Sequence, residues 1–121
     1  VIAVRREAMA ARPELGEALC TAFDRAKQRA YDVLQNERMT SIPLMRSYLD
    51  ETVDTFGEDP WPYGFERNRT ELDRFLGYAW EQGLTGKRLS PEDLFDGPLR
   101  DFPFEAKMTP HGVVPGSVVD F

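Results

Sequence analysis

The sequence predicts a mainly α-helical chain with one short strand at its N-terminus. Apolar residues recur at helical spacing in three long segments, prolines and glycines stand at the ends of those segments, and only residues 1–4 form a β-branched run. A single strand cannot satisfy its own N–H and C=O groups. We therefore expect the sheet to which this strand belongs to lie outside these 121 residues.

The composition indicates a folded chain with an acidic surface. Apolar residues make up 41% and charged residues 30%, as in ordinary globular proteins. The net charge of -6 argues against nucleic acid as a partner, and no apolar run is long enough to cross a membrane. The single cysteine, Cys20, is expected to be a buried, inert thiol in a reducing, cytoplasmic environment.

The first helix is predicted to begin at Pro13 and to continue for about six turns. Its two faces differ in polarity, which is typical of an amphipathic helix. The apolar face, expected to be buried, contains Leu15, Ala18, Leu19, Ala22, Phe23, Ala26, Ala30, Val33 and Leu34. The opposite face, expected to meet water, contains Glu17, Asp24, Lys27, Gln28, Asp32 and Gln35.

Three further helices follow, separated by residues that stop helices. The second is predicted to run from Pro43 to a stop at Gly57, and residues 57–64 then form a rigid loop with two prolines and two aromatic residues. The third is predicted to begin at Asn68, with Glu71 completing a capping box, and to end at Gly83. A short fourth helix is predicted at residues 90–95, with an N-cap serine and a first-turn proline.

The C-terminal part of the chain is predicted to be an extended tail. We divide the chain into a helical portion, residues 1–95, and a tail, residues 96–121. The tail is too apolar to be fully solvated, so it is expected to cover the body of the protein or another subunit. Together with the exposed edge of the N-terminal strand, it predicts homo-oligomers of the isolated chain.

Few residues carry recognisable chemistry. The single histidine, His111, stands in a Pro/Gly segment typical of an exposed turn, and the other metal-binding side chains have no recognised spacing. No phosphate-binding or dinucleotide motif is present. The sequence therefore predicts no metal and no cofactor.

One group of residues merits consideration as a binding site: Trp61, Tyr63, Arg67 and Arg69. Arginines beside a helix N-terminus can hold a carboxylate by charge-assisted hydrogen bonds, and the aromatic rings offer a wall for a planar ligand. The alternative is a packed corner in which the aromatic residues fill the core and the arginines pair with nearby acids. The sequence leaves both interpretations open.

A longer pattern covers this region. Residues 56–95, FGEDPWPYGFERNRTELDRFLGYAWEQGLTGKRLSPEDLF, resemble the C-terminal region of the 4,5-dihydroxyphthalate decarboxylase family, and the opening VIAVRRE resembles the strand that precedes its helical segment. The resemblance covers roughly residues 1–95. It implies a periplasmic-binding-protein type II-like α/β architecture with two lobes, of which this chain is a truncated C-terminal part.

The resemblance also implies a function: non-oxidative decarboxylation of an aromatic dicarboxylic acid in phthalate degradation. The ligand is then an aromatic carboxylate, held by Arg67 or Arg69 with Tyr63 as a hydroxyl contact, while the catalytic acid is unknown. Two alternatives remain. The first is the solute-binding component of a transporter or another non-catalytic binding module with the same fold. The second is a folding or oligomerisation unit without a ligand.

Overall fold

The structure, a computed structural model, describes residues 2–36, 39, 41–95 and 97–109. The described elements are all helical. They are α1 (Arg6–Ala11), α2 (Leu15–Gln35), α3 (Met45–Phe56), α4 (Phe65–Glu81), α5 (Pro91–Leu94) and a 3-10 helix (Pro98–Asp101). The chain divides into two compact units. The first unit comprises Val1–Thr21 and Pro62–Phe104, and the second comprises Ala22–Trp61 and Glu105–Phe121.

The predicted N-terminal strand is wrong. Residues 2–5 have no regular structure, with Ile2 58% exposed and Val4 38% exposed, and α1 begins at Arg6. Arg5 is extended, with φ -62 and ψ 137, but an extended segment becomes a strand only when another strand pairs with it. The described residues contain no strand, so the sheet-based, periplasmic-binding-protein type II-like α/β architecture is contradicted, whereas the mainly α prediction is confirmed.

The long first helix is confirmed as α2, 21 residues ending at Gln35. It begins at Leu15 rather than at Pro13, which lies in the preceding turn. The sequence pattern does not predict α1, whose six residues are too few to establish a helical period. Gly16 lies in the first turn of α2, where a Cβ atom would stand 2.5 Å from Leu99 Cδ1. A side chain at this position would therefore force the ends of the Leu99 and Met9 side chains to move.

The second predicted helix is confirmed as α3. It starts at Met45, two residues after Pro43, because Leu44 takes a left-handed conformation with φ 61. Gly57 follows the last helical residue with φ 81. This conformation is one that glycine adopts without a steric penalty, as expected for a helix stop.

Helix α4 begins earlier than predicted, at Phe65, so the capping box assigned to Asn68 is wrong. The side-chain amide of Asn68, near the start of the helix, instead donates to the carbonyl oxygens of Pro62 and Gly64 at 2.9 and 2.8 Å. These two hydrogen bonds hold the preceding loop against the start of α4. The helix ends as predicted near Gly83, whose φ of 72 permits the amide of Leu84 to reach the Ala79 carbonyl at 2.9 Å.

The short fourth helix is confirmed as α5, with the capping box of Ser90 and Asp93. The Ser90 amide donates to Asp93 Oδ2 at 2.8 Å and the Ser90 hydroxyl contacts the same oxygen at 3.1 Å. Helix α4 packs against α5 and the 3-10 helix within the first unit. The buried residues on these elements are Phe65, Leu76, Ala79 and Pro91.

The core of the second unit contains Tyr31 of α2, Leu49 of α3 and Met108, which is 0% exposed. Met108 belongs to an extended segment, residues 105–109, that we call the strap. Burial alternates along the strap: Ala106 and Met108 are buried, whereas the residues between and beside them are exposed. This alternation is typical of an extended chain with one face against a core.

The polar face of α2 is only partly exposed to water. Lys27 is buried, and three other side chains of that face bond to strap main-chain atoms. The expectation that this face meets water is therefore wrong for Lys27, whereas Glu17 is exposed as predicted and Asp24, Gln28 and Gln35 are half-buried. Conversely, the residues left exposed on the predicted apolar face are Ala18, Ala22, Phe23, Ala26 and Ala30. The small side chains of the four alanines gain little from burial, and this made the helical period a poor guide to orientation.

The division of the chain at residues 95 and 96 stays a prediction. Pro98–Asp101 forms a 3-10 helix that the sequence pattern does not indicate, since its single turn carries no period. His111 and the other residues from 110 to 121 lie outside the described residues.

Candidate functional site

The second unit contains a buried group of polar side chains on α2 and the loop after α3. Lys27 Nζ lies 2.6 Å from Asp59 Oδ1, and the two side chains are only 5% and 7% exposed. The Tyr31 hydroxyl donates to the same carboxylate oxygen at 2.7 Å. Because Lys27 and Tyr31 are one helical turn apart, both reach Asp59 from the same face of α2.

Trp61 extends this group. Its ring stacks on that of Tyr31 with centroids 6.0 Å apart and an interplanar angle of 28°, and Lys27 Nζ lies 5.5 Å from the Tyr31 ring centroid. The Trp61 side chain is 56% exposed, so one side of the indole packs on the unit while much of the residue remains open to solvent. The ring neighbour of Trp61 is therefore Tyr31.

Sequence reasoning missed Lys27, Tyr31 and Asp59. Lys27 was assigned to the solvent face because charged residues are seldom fully buried unless they are paired. Its pairing with Asp59 spans 32 positions of sequence, and a helical period contains no information about that separation. The available signal was the i, i+4 spacing of Lys27 and Tyr31 together with an acid in a rigid loop.

The other predicted site residues belong to the first unit. Tyr63 packs edge-on against Phe104, with centroids 5.5 Å apart at 83°, and Phe104 in turn contacts Phe102 at 4.8 Å. The loop around Tyr63 is fixed by the bonds of Asn68 described above. Tyr63 therefore stands on a small aromatic cluster at the start of α4.

Arg69 holds a carboxylate within the first unit, that of Glu92. Its Nε and Nη2 atoms lie 2.8 and 2.7 Å from Glu92 Oε1, and the Arg69 side chain is 50% exposed. Arg100 approaches the same oxygen at 4.0 Å while its guanidinium carbon lies 4.2 Å from the Phe65 ring centroid. The pKa of Glu92 is lowered, first by a hydrogen bond from its own backbone amide and then by Arg69.

Arg67 is exposed on α4, two positions before Arg69. Residues two apart on a helix do not face each other, so Arg67 and Arg69 point to different sides of α4. They cannot both hold one carboxylate without a change in the helix. The structure thus supports the acid-pairing alternative for Arg69, and the ligand-binding roles of Tyr63, Arg67, Arg69 and Trp61 stay predictions.

The remaining chemistry within the described ranges is limited. No group of three or more His, Cys, Asp or Glu side chains there could hold a metal ion. Burial raises the pKa of the half-buried Cys20 thiol, which leaves less of the reactive thiolate at neutral pH. Among the described helices, none is both long and apolar enough to cross a membrane.

Comparison with known proteins found one informative similarity. The chain is 33% identical over 96 residues to a 4,5-dihydroxyphthalate decarboxylase of Comamonas testosteroni. The match covers 78% of this chain but 29% of that protein, so the chain spans less than a third of its relative. No family model matches the sequence. No solved structure matches it significantly.

Proposed function

We propose that this chain is part of a carboxy-lyase that removes one ring carboxylate from an aromatic dicarboxylic acid of the 4,5-dihydroxyphthalate class. The observation that carries the proposal is the 33% identity to a decarboxylase over 96 residues. The chain spans only 29% of that relative. We therefore propose, rather than infer from the identity alone, the activity, the substrate and the partners of the whole protein.

The chemistry of this substrate class defines what the site has to supply. A hydroxyl group para to the departing carboxylate donates electron density to the ring carbon that bears it. A general acid protonates that carbon, the bond to the carboxylate then breaks, and its electron pair returns to the ring as carbon dioxide leaves. Such a site needs a cation for the carboxylate, a proton donor and exclusion of water. We assign no proton donor to this chain.

Within this proposal Arg69 is the cationic holder, and a substrate carboxylate has to displace its partner Glu92. Its guanidinium is exposed by half and is already bound to a carboxylate oxygen, that of Glu92. Arg100 adds a second positive charge 4.0 Å from the same oxygen. A substrate carboxylate that displaced Glu92 would meet the same donors, and Tyr63, on the loop that leads into α4, supplies a hydroxyl group of the same unit.

The proposal is tested by calorimetric titration of the complete gene product that carries this chain with 4,5-dihydroxyphthalate. We expect Arg69→Ala to weaken binding at least tenfold, because a charge-assisted hydrogen bond contributes about 1.5–3 kcal/mol. Glu92→Gln should strengthen binding, since it removes a competing negative charge from Arg69. The matched control is Arg88→Ala, which removes an equally exposed arginine paired with Asp73 at 3.6 Å and should leave the affinity within threefold.

Two results would overturn parts of this proposal. If Arg67→Ala weakens binding while Arg69→Ala does not, the holder is Arg67 instead. If the wild-type protein does not bind the dicarboxylate at all, the substrate class is wrong.

A further inference from the structure

Three side chains of α2 bind the strap through its main chain. Asp24 accepts from the amides of Glu105 and Ala106, each at 3.1 Å, one to each carboxylate oxygen. Gln28 forms two bonds with Lys107: its Nε2 donates to the carbonyl at 3.0 Å, and its Oε1 accepts from the amide at 3.0 Å. We call Asp24, Gln28 and Gln35 the α2 ladder.

Gln35 forms the same pair of hydrogen bonds with Thr109, two residues further along the strap. Its Nε2 donates to the Thr109 carbonyl at 2.7 Å and its Oε1 accepts from the Thr109 amide at 3.1 Å. A glutamine amide carries the same donor and acceptor as a peptide group. Gln28 and Gln35, seven positions apart on one helix face, therefore pair with residues two apart on the strap, as the edge of a neighbouring strand would.

The strap is also held on its other edge and by two buried side chains. The Met108 amide donates to the Glu58 carbonyl at 2.7 Å, and the Met108 side chain is completely buried in the core of the second unit. Ala106 is 4% exposed, whereas Glu105, Lys107 and Thr109 face solvent. Main-chain bonds thus provide attachment that does not depend on sequence, and the positions of Ala106 and Met108 provide the specificity.

We propose that the α2 ladder is a peptide-binding site for an extended segment with a small residue and a methionine two positions later, and that a second copy of this chain can supply its strap to the site in trans. The contacts described above are the same whether the strap comes from the same chain or from another. Exchange of an identical element therefore costs little beyond association itself. In the wild-type chain the tethered strap has the advantage of an effective concentration on the order of millimolar.

Two complementary variants test the exchange. Gln28→Ala with Gln35→Ala removes most of the ladder but leaves the strap intact, and alanine preserves the helix. Met108→Asp places a charge in the buried position and disables the strap but leaves the ladder intact. We expect each variant alone to be monomeric at micromolar concentration and an equimolar mixture to form a 1:1 heterodimer in analytical ultracentrifugation. A mixture that stays monomeric would overturn the proposal.

A peptide of residues 102–109 tests the recognition separately, and it also covers the case in which Met108→Asp fails to fold. Titrated into the Met108→Asp chain up to about the millimolar effective concentration of a tethered strap, the peptide should bind or restore helical circular dichroism. Methylation of the Lys107 backbone nitrogen should weaken that effect at least tenfold, because it removes the donor to Gln28. Replacement of Glu105, Lys107 and Thr109 by serine should change it less than threefold. The proposal is wrong if the unmodified peptide neither binds nor restores helicity. It is also wrong if the serine peptide loses as much affinity as the methylated peptide, because the α2 ladder would then not recognise main-chain atoms.

Discussion

Lys27 and Asp59 form an ion pair at 2.6 Å whose two side chains are almost completely buried. The pair joins α2 to the loop that follows α3, and the Tyr31 hydroxyl bonds to the same Asp59 oxygen. A buried charge is tolerated only when it is paired and hydrogen-bonded. The position of this loop, including that of Trp61 two residues later, therefore depends on Asp59.

Neutralising Asp59 should be strongly destabilising. Asp59→Asn keeps the shape of the side chain but leaves the Lys27 charge buried without this partner, which typically costs about 3–5 kcal/mol. Urea unfolding followed by circular dichroism measures the loss. The control is Glu58→Gln, which breaks the exposed pair with Lys107 at 3.4 Å and should cost less than about 1 kcal/mol. Equal effects of the two substitutions would show that the Lys27 pair is not buried in solution.

Two helical glycines should respond oppositely to alanine. A Cβ atom at Gly77 meets nothing closer than Arg88 NH2 at 3.8 Å, so Gly77→Ala should stabilise α4 by about 0.5–1 kcal/mol. At Gly16 it would lie 2.5 Å from Leu99 Cδ1 and 2.8 Å from Met9 Cε, and crowding of this kind costs about 1–3 kcal/mol. Thermal unfolding of both variants checks the contrast. A higher melting temperature for Gly16→Ala than for wild type would mean that Gly16 is not tightly packed.

The α5 capping box should make the free energy of unfolding depend on pH in the acid range. The pKa of Asp93 is lowered from its ordinary 3.8 by the Ser90 amide and then by the Ser90 hydroxyl. A carboxyl whose pKa is lower in the folded state stabilises the fold above its ordinary pKa, and that contribution is lost as pH falls through the folded-state value. Asp93→Asn should therefore reduce stability at pH 7 and show a smaller loss than wild type below pH 3.8.

Denaturant unfolding at pH 7 and at several acid values measures this difference. Ser90→Ala removes only the hydroxyl donor, so it should change the pH dependence in the same direction by a smaller amount. If Asp93→Asn and wild type lose stability in parallel across the acid range, the capping box does not carry the effect.

The sequence predicted the helices well where a period, a proline and a glycine agreed. Helices α2, α3 and α5 begin within two residues of the predicted starts, and Gly57 and Gly83 have the positive φ expected of a glycine at a helix end. Such signals are local, so they can be interpreted without knowledge of the rest of the fold.

The sequence failed where the outcome depended on distant partners. The β-branched residues at the N-terminus favour an extended chain but contain no information about a pairing strand. Likewise, Lys27 and Gln28 look like solvent-facing residues until Asp59 and the strap are placed against them. For the candidate site, the sequence left open whether the arginines hold a ligand or pair with nearby acids, and it did not indicate Glu92, 23 positions after Arg69, as the partner.

The proposed function is tested most directly by turnover of 4,5-dihydroxyphthalate by the complete gene product, followed by chromatography of the ring products and by carbon dioxide release. We expect one molecule of 3,4-dihydroxybenzoate and one of carbon dioxide for each substrate molecule consumed, with slower turnover in Arg69→Ala than in Arg88→Ala. Substrate that binds but is returned unchanged would contradict the enzyme and identify a non-catalytic binding protein.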